Sequence, residues 1–249
     1  MTAVPSLHAR GVLAPSIAAA LAVLALLALG TWQIARKAWK ETLIATIAER
    51  SAAAPIDLPA PATWPQMSAE NFEFRRVRLG AEFLAAEAAY LHVAGSALRE
   101  DVRAPGYFVF APARLAGGAQ VVVNQGYLPS EAGLRRPITG RHDIVGYLRW
   151  PERRPWFVAD HDAAGRVWFV RDPVAMAEAK GWGRVAPFYI DQEGPVPAGG
   201  LPRPGRLRAS LSNPHLSYAL TWYGLAAVVA ASFAVWFVGR RRGQAGAPP

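Results

Sequence analysis

The stretch Asn213-Pro214-His215-Leu216-Ser217-Tyr218-Ala219-Leu220-Thr221-Trp222-Tyr223-Gly224-Leu225 decides how the chain is read. It opens an apolar run, residues 216–238, that carries no charge and stops at Gly239-Arg240-Arg241-Arg242. At a helical rise of 1.5 Å per residue the run is about 34 Å long, enough to cross a bilayer core of about 30 Å. Asn213 is a good N-cap, and Pro214 suits the first helical position, where its missing N–H costs nothing. His215 then falls on the first turn, beside the positive end of the helix dipole. Tyr218, Trp222 and Tyr223 mark one membrane interface, and Trp236 and Phe237 the other.

The second apolar run is residues 12–34, rich in Ala and Leu. A cleaved signal peptide is its rival reading. The run exceeds the usual apolar region of such peptides, and Ala28-Leu29-Gly30 is only a fair cleavage site, so an uncleaved anchor is expected. The pattern continues as helix beyond it. Trp32, Trp39, Leu43 and Ile47 recur at helical spacing, with Arg36, Lys37 and Lys40 turned away from them. These bases read as snorkelling side chains below a Trp belt, or as a basic, aromatic lip at the membrane surface.

Between the two runs, Pro55, Pro59, Pro61 and Pro65 mark 51–68 as a linker or edge segment rather than an element. From Glu73 the pattern turns to β. Strands are expected over 73–79, 89–93, 107–110, 120–123, 143–148, 167–170 and 188–190, with Gly117-Gly118 as a hairpin turn. Arg135-Arg136-Pro137 and residues 195–204 read as loops. One helix is expected over 173–180, capped by Asp172 and stopped at Gly181. The expected architecture is a membrane-anchored α+β protein: two antiparallel transmembrane helices flanking a mostly antiparallel β domain with one short helix. Its parts are an N-terminal segment 1–12, helix 13–34, helix extension and Pro/Ala-rich linker 35–69, β domain 70–195, return loop 196–215, helix 216–238 and tail 239–249.

Composition narrows the function. The 249 residues include no Cys and only Met1, Met67 and Met176, so disulfides, thiolate sites and soft copper sites are excluded. The net charge of +9 comes without a nucleic-acid-binding motif, so anionic lipid or an acidic ligand is the better partner for it. No G-x-S-x-G, H-E-x-x-H or Walker sequence occurs, and Gly181-Trp182-Gly183 follows a helix rather than a strand, so no enzyme is read here. His142-Asp143 and Asp160-His161-Asp162 sit at strand ends or in loops, where such groups are usually solvated. His92 reads as structural. His215 has two readings: an interfacial residue at a helix start, or a ligand for a metal or haem at the membrane surface.

The chain resembles the Surfeit locus protein 1 family, SURF-type assembly factors for cytochrome c oxidase, in a bacterial form. The resemblance rests on Gly30-Thr31-Trp32-Gln33 with Arg36 and Trp39-Lys40, and on Arg76-Val77-Arg78-Leu79-Gly80 with Phe83. Gly106-Tyr107-Phe108-Val109, Gly118, residues 121–129, Trp168 and Arg171-Asp172 extend it. Asn213 with His215-Leu216-Ser217-Tyr218-Ala219-Leu220-Thr221-Trp222-Tyr223 is its most specific part. Gln125 and Tyr127 stand where the family commonly has Arg and Trp, which weakens the basis for a ligand-binding role at position 125.

The resemblance implies a multi-pass protein of the bacterial inner membrane with its main domain periplasmic and both termini cytoplasmic. The bases at 240–242 agree with a cytoplasmic tail, although Arg36, Lys37 and Lys40 on the other side outnumber Arg10. It implies a role in supplying or stabilising haem a while the oxidase catalytic subunit matures, with that subunit, the haem a synthesis machinery and the bilayer as partners. His215 is the implied iron ligand. Beside it, Trp32, Tyr218 and Trp222 could face the porphyrin, and Arg36, Lys37 and Lys40 its propionates. A scaffold that clasps an oxidase subunit without binding cofactor is the alternative.

Overall fold

The fold is given by a computed structural model. It describes residues 7–134, 137–153, 155, 156, 159, 161, 162, 166–208 and 212–245, and the side chains among these except at 7–10 and 243–245. Most of the expected loop at 135–137, and Asp160, lie outside the described residues. In chain order the elements are α1 (Leu7–Ala52), β1 (Ile56–Asp57), a 3-10 turn (Pro61–Gln66), α2 (Ala69–Phe72), β2 (Arg76–Phe83), β3 (Ala89–Val93), β4 (Gly106–Leu115) and β5 (Gln120–Pro129). A second 3-10 turn (Ser130–Ala132) precedes β6 (Gly140–Arg149), β7 (Val167–Trp168), α3 (Pro173–Lys180), β8 (Tyr189–Gly194) and α4 (His215–Ala245). The chain divides into two compact units, Met1–Leu43 with Ser212–Pro249, and Ile44–Leu211.

The second unit is a closed barrel. Strands β2, β6, β8, β5 and β4 pair in that order, and the far end of β4 returns to β2 through Ala81↔Leu115 and Phe83↔Ala113. The near half of β4 instead pairs with β3, from Val93↔Gly106 to Ala89↔Phe110. Closure removes the exposed edges that an open sheet of this size would present. Most pairings are antiparallel, but β1–β2, β3–β7 and β5–β8 are parallel.

The alternation in β2 explains its placement. Val77, Leu79, Ala81 and Phe83 point into the barrel while Arg78, Gly80 and Glu82 point out. Ala111, Ala113, Val121, Val123, Ile144, Leu148 and Ile190 complete the interior. On the other face of β5, Val122 joins Phe110, Tyr189 and Trp168 against Met176 and Ala177 of α3. Strand β5 is thus buried on both faces, so its sequence loses the two-residue period. The expected strand 120–123 continues to Pro129, and the expected strand 107–110 begins at Gly106 and continues to Leu115.

Local signals hold in α3. Asp172 Oδ1 accepts from Val174 N and Ala175 N at 3.0 Å each, and Gly181 closes the helix at φ +66°. The Pro-rich stretch differs from expectation. It contributes the parallel strand β1 and a 3-10 turn that buries Trp64, whose Nε1 donates to Pro59 O at 2.9 Å. Trp64 meets Phe188 edge-on at 5.3 Å.

The first unit contains α4 and the greater part of α1. Both helices are long and apolar enough to cross a membrane, within Gly11–Ala52 and His215–Arg242. They run antiparallel: Gly11 lies beside Arg240, Gly30 beside Tyr223, and Lys40 Nζ donates to Ser212 O. From Ala19 to Lys40 the shielded positions of α1 are Ala19, Val23, Leu26, Gly30, Gln33, Lys37 and Lys40, alternating by four and three. Those of α4 include His215, Ala219, Trp222, Ala226, Val229 and Phe233. That spacing is the 3.5-residue period of two helices sharing a seam. Gly30 is required there, because a Cβ would lie 2.6 Å from the Tyr223 ring.

Candidate functional site

The site is built at the start of α4. The cap expected from Asn213 is not made. The helix begins at His215, the Pro214 carbonyl accepts from Ser217 Oγ at 2.7 Å, and Asn213 Oδ1 is enclosed without a partner. The side chain sits one residue too early to reach the N–H groups it would cap. An enclosed acceptor left without a donor costs about 1–3 kcal/mol.

His215 occupies the seam position of the first turn and is half-buried. Its Nδ1 lies 2.7 Å from Oε1 of Gln33, 182 positions earlier on α1. The bond spans the two helices, three residues from the Gly30–Tyr223 approach along α1. Thr31 Oγ1 and Tyr223 Oη, 3.2 Å apart, make a second polar contact beside it. An amide oxygen can only accept, so with this partner Nδ1 is the donor, and in the neutral ring Nε2 is then the nitrogen with the lone pair. Among the described residues Nε2 has no hydrogen-bond partner.

The other expected site residues surround this pair without closing on it. Tyr218 and Trp32 are more than half exposed, and Trp222 is half-buried. No ring contact joins these three among the described residues. Trp222 shares the seam with His215, seven residues on, whereas Tyr218 lies to one side of it. Arg36 lies over the Trp39 ring, 4.0 Å from its centroid, and Lys37 pairs with Glu41 at 2.6 Å. Arg36, Lys37 and Lys40 against Glu41 leave a surplus of two positive charges near the seam, a field that suits an anionic group.

Among the described side chains, the other three histidines are held in local contacts. His142 Nε2 lies 3.0 Å from Thr139 O, and His161 Nδ1 lies 2.7 Å from Asp162 O with its ring against Trp168. His92 meets Tyr107 edge-on. Gln125 is structural: its amide exchanges two bonds with the Ile138 backbone, at 2.9 and 2.8 Å, like a strand partner. Tyr127 donates to Ala104 O at 2.9 Å and lies under Arg203.

Two features were not anticipated. One is Gln33, which sits in a stretch singled out by sequence but whose partner is distant. Its polar side chain at a seam position, between Gly30 and Lys37, is the signal that points to it. The other is a buried charged group on the barrel wall. Arg149 pairs with Glu73 at 2.8 Å and with Asp191 at 3.5 Å, and Asn124 Nδ2 donates to Asp191 at 2.9 Å. Burial pushes the Asp191 carboxyl above its ordinary range against the pull of Arg149. Burial also disfavours the Arg149 charge, but Tyr189, Asp191 and Glu73 outweigh it and hold the guanidinium protonated. The group ties β5, β6 and β8 together.

Comparison with known proteins places this geometry in context. The sequence profile of the SURF1 family matches residues 20–227. Surfeit locus protein 1 of Mus musculus is 34% identical over 224 residues, covering 84% of this chain and 70% of that protein. Surfeit locus protein 1 of Homo sapiens is 32% identical over 234 residues, covering 88% and 75%. A SURF1-like protein of Monosiga brevicollis is 32% identical over 229 residues, covering 86% and 83%. The matched span takes in Gln33 and His215 and the whole barrel between them.

Proposed function

The chain belongs to the SURF1 family, and from that premise we propose that it is a membrane assembly factor for cytochrome c oxidase that holds haem a while the catalytic subunit matures. The observation that carries the reading is the imidazole of His215, with Nδ1 engaged by Gln33 and Nε2 bare. Haem iron would take a neutral imidazole from the protein, and a ring nitrogen without a hydrogen-bond partner could supply it. In this reading Nε2 of His215 is that ligand. Trp32, Tyr218 and Trp222 offer apolar ring surface to the porphyrin, and Arg36, Lys37 and Lys40 offer charge to its propionates. Helices α1 and α4 span the bacterial inner membrane, the barrel is periplasmic, and both termini are cytoplasmic.

A scaffold that binds an oxidase subunit without cofactor is the second reading. The apolar outward faces of the helices offer it a docking surface, with Leu13, Leu21, Leu24, Leu220, Val228 and Val235 all exposed. Such faces meet either lipid or another subunit's helices.

Absorbance of the detergent-purified full chain, from cells that make haem a, separates the two. A haem a spectrum at near-stoichiometric yield supports the first; its absence in chain that co-purifies with oxidase subunits supports the second. A reporter fused after Pro249 is expected to be active only in the cytoplasm. One fused to a chain truncated within 51–65 is expected to be active only in the periplasm. The reverse pattern refutes the orientation.

A further inference from the structure

Resting on the haem reading, we infer that Gln33 is the positioning residue of the site: it fixes His215 as the Nδ1–H tautomer and presents Nε2 as the ligating atom. Gln33 lies in the middle of α1, not at a frayed end, so its backbone is fixed. His215 is on the first turn of α4, in the same compact unit. A bond of 2.7 Å between them holds the ring plane as well as its proton. Free imidazole divides its proton between the two nitrogens, so an unpartnered ring would present the wrong atom for part of the time.

The choice of an amide matters. A Glu at this position would accept the same proton but add a full negative charge, raising ligand basicity as carboxylate partners of metal-bound histidines do. Gln33 sets the tautomer with a neutral acceptor and leaves the imidazole a weaker donor. A weaker donor suits a group that has to be handed on rather than kept. The structural alternative is a plain clasp between two helices, for which either ring nitrogen would serve.

The test uses the full chain in detergent, with histidine labelled with nitrogen-15 and the His215 signals identified by their loss in His215→Ala. NMR is expected to show a protonated Nδ1 and a bare Nε2 in the haem-free protein. Gln33→Leu is expected to give a mixture of tautomers, and Gln33→Glu to restore the Nδ1–H form. Titration with ferric protoporphyrin is expected to show affinity reduced about 10- to 100-fold in Gln33→Leu. Gln33→Glu is expected to bind at least as tightly as the natural chain and to release porphyrin more slowly to an acceptor such as apomyoglobin. A protonated Nε2 in the natural chain, or equal affinity in Gln33→Leu, overturns the role of Gln33. If His215→Ala binds porphyrin as the natural chain does, the haem reading itself fails, and the ligating role assigned to Nε2 fails with it. If His215→Ala loses porphyrin but the tautomer is wrong, the Gln33 role fails alone.

Discussion

Gly126→Ala is expected to be among the most damaging single-methyl changes in the barrel. Gly126 has φ +128°, a conformation that costs a residue with a Cβ about 1–3 kcal/mol. The added Cβ would also lie 2.2 Å from the Arg203 carbonyl carbon and 2.4 Å from its oxygen. These are backbone atoms, so no side-chain rotation relieves the overlap. The segment at Arg203 has to withdraw, and with it go the two bonds it exchanges with Tyr127, at 2.8 Å in each direction. At about 1 kcal/mol for each bond, the total is about 3–5 kcal/mol. Gly118→Ala is the control: φ is +84°, but no atom lies within 4 Å of the new methyl. Its cost is the conformational one alone, about 1–2 kcal/mol. Urea unfolding of the detergent-solubilised chain, followed by Trp fluorescence, measures both. Equal costs at the two positions would refute the argument that the Arg203 segment presses on this strand.

Four further outcomes follow from the barrel and α3. Arg149→Met leaves the buried Asp191 and the half-buried Glu73 without their cation and is expected to cost about 3–5 kcal/mol. Asp191→Asn is expected to cost clearly less, because Arg149 keeps Glu73 at 2.8 Å; the reverse order in denaturant unfolding would contradict the assignment. Burial, helped by the charge of Glu193, pushes the Tyr147 hydroxyl from 10.0 up to about 12. A group whose folded value is raised stabilises fully below its unfolded value, so this contribution is intact below about pH 10 and lost as pH rises through about 12; tyrosinate absorbance that shows Tyr147 ionising with exposed tyrosines in folded protein would refute it. Asp172→Ala removes both bonds to the first turn of α3 and is expected to cost about 1 kcal/mol by thermal unfolding, and no change would mean the cap is idle.

What the sequence made legible was local. The helix at 173–180 was readable because Asp172 and Gly181 carry their signals within a turn of its ends. Strand β3 was readable because it is short and bounded on both sides. By sequence, strand β5 reads as ending at Val123, because Asn124 and Gln125 look like the end of a strand. Their partners, Asp191 and Ile138, become visible only once the sheet is assembled. Barrel closure likewise depends on pairing Phe83 with Ala113, a register that no window of sequence contains. The site divides the same way. His215 stood out by its place at the mouth of an apolar run, whereas Gln33 acquires its meaning from a residue 182 positions away. Asn213 shows the limit of pattern: a good cap by residue type, it falls one position short of the helix it precedes.

The most direct measurement is the haem a absorbance of His215→Ala beside His142→Ala and His161→Ala, each purified as full chain from cells that make haem a. The account predicts that His215→Ala loses the bound haem spectrum while still inserting in the membrane and keeping the unfolding transition of its barrel. His142→Ala and His161→Ala keep the spectrum, since both belong to the barrel unit and not to the helix unit that carries Trp32, Gln33, Tyr218 and Trp222. A His215→Ala chain with an unchanged haem spectrum would contradict the account and favour the scaffold.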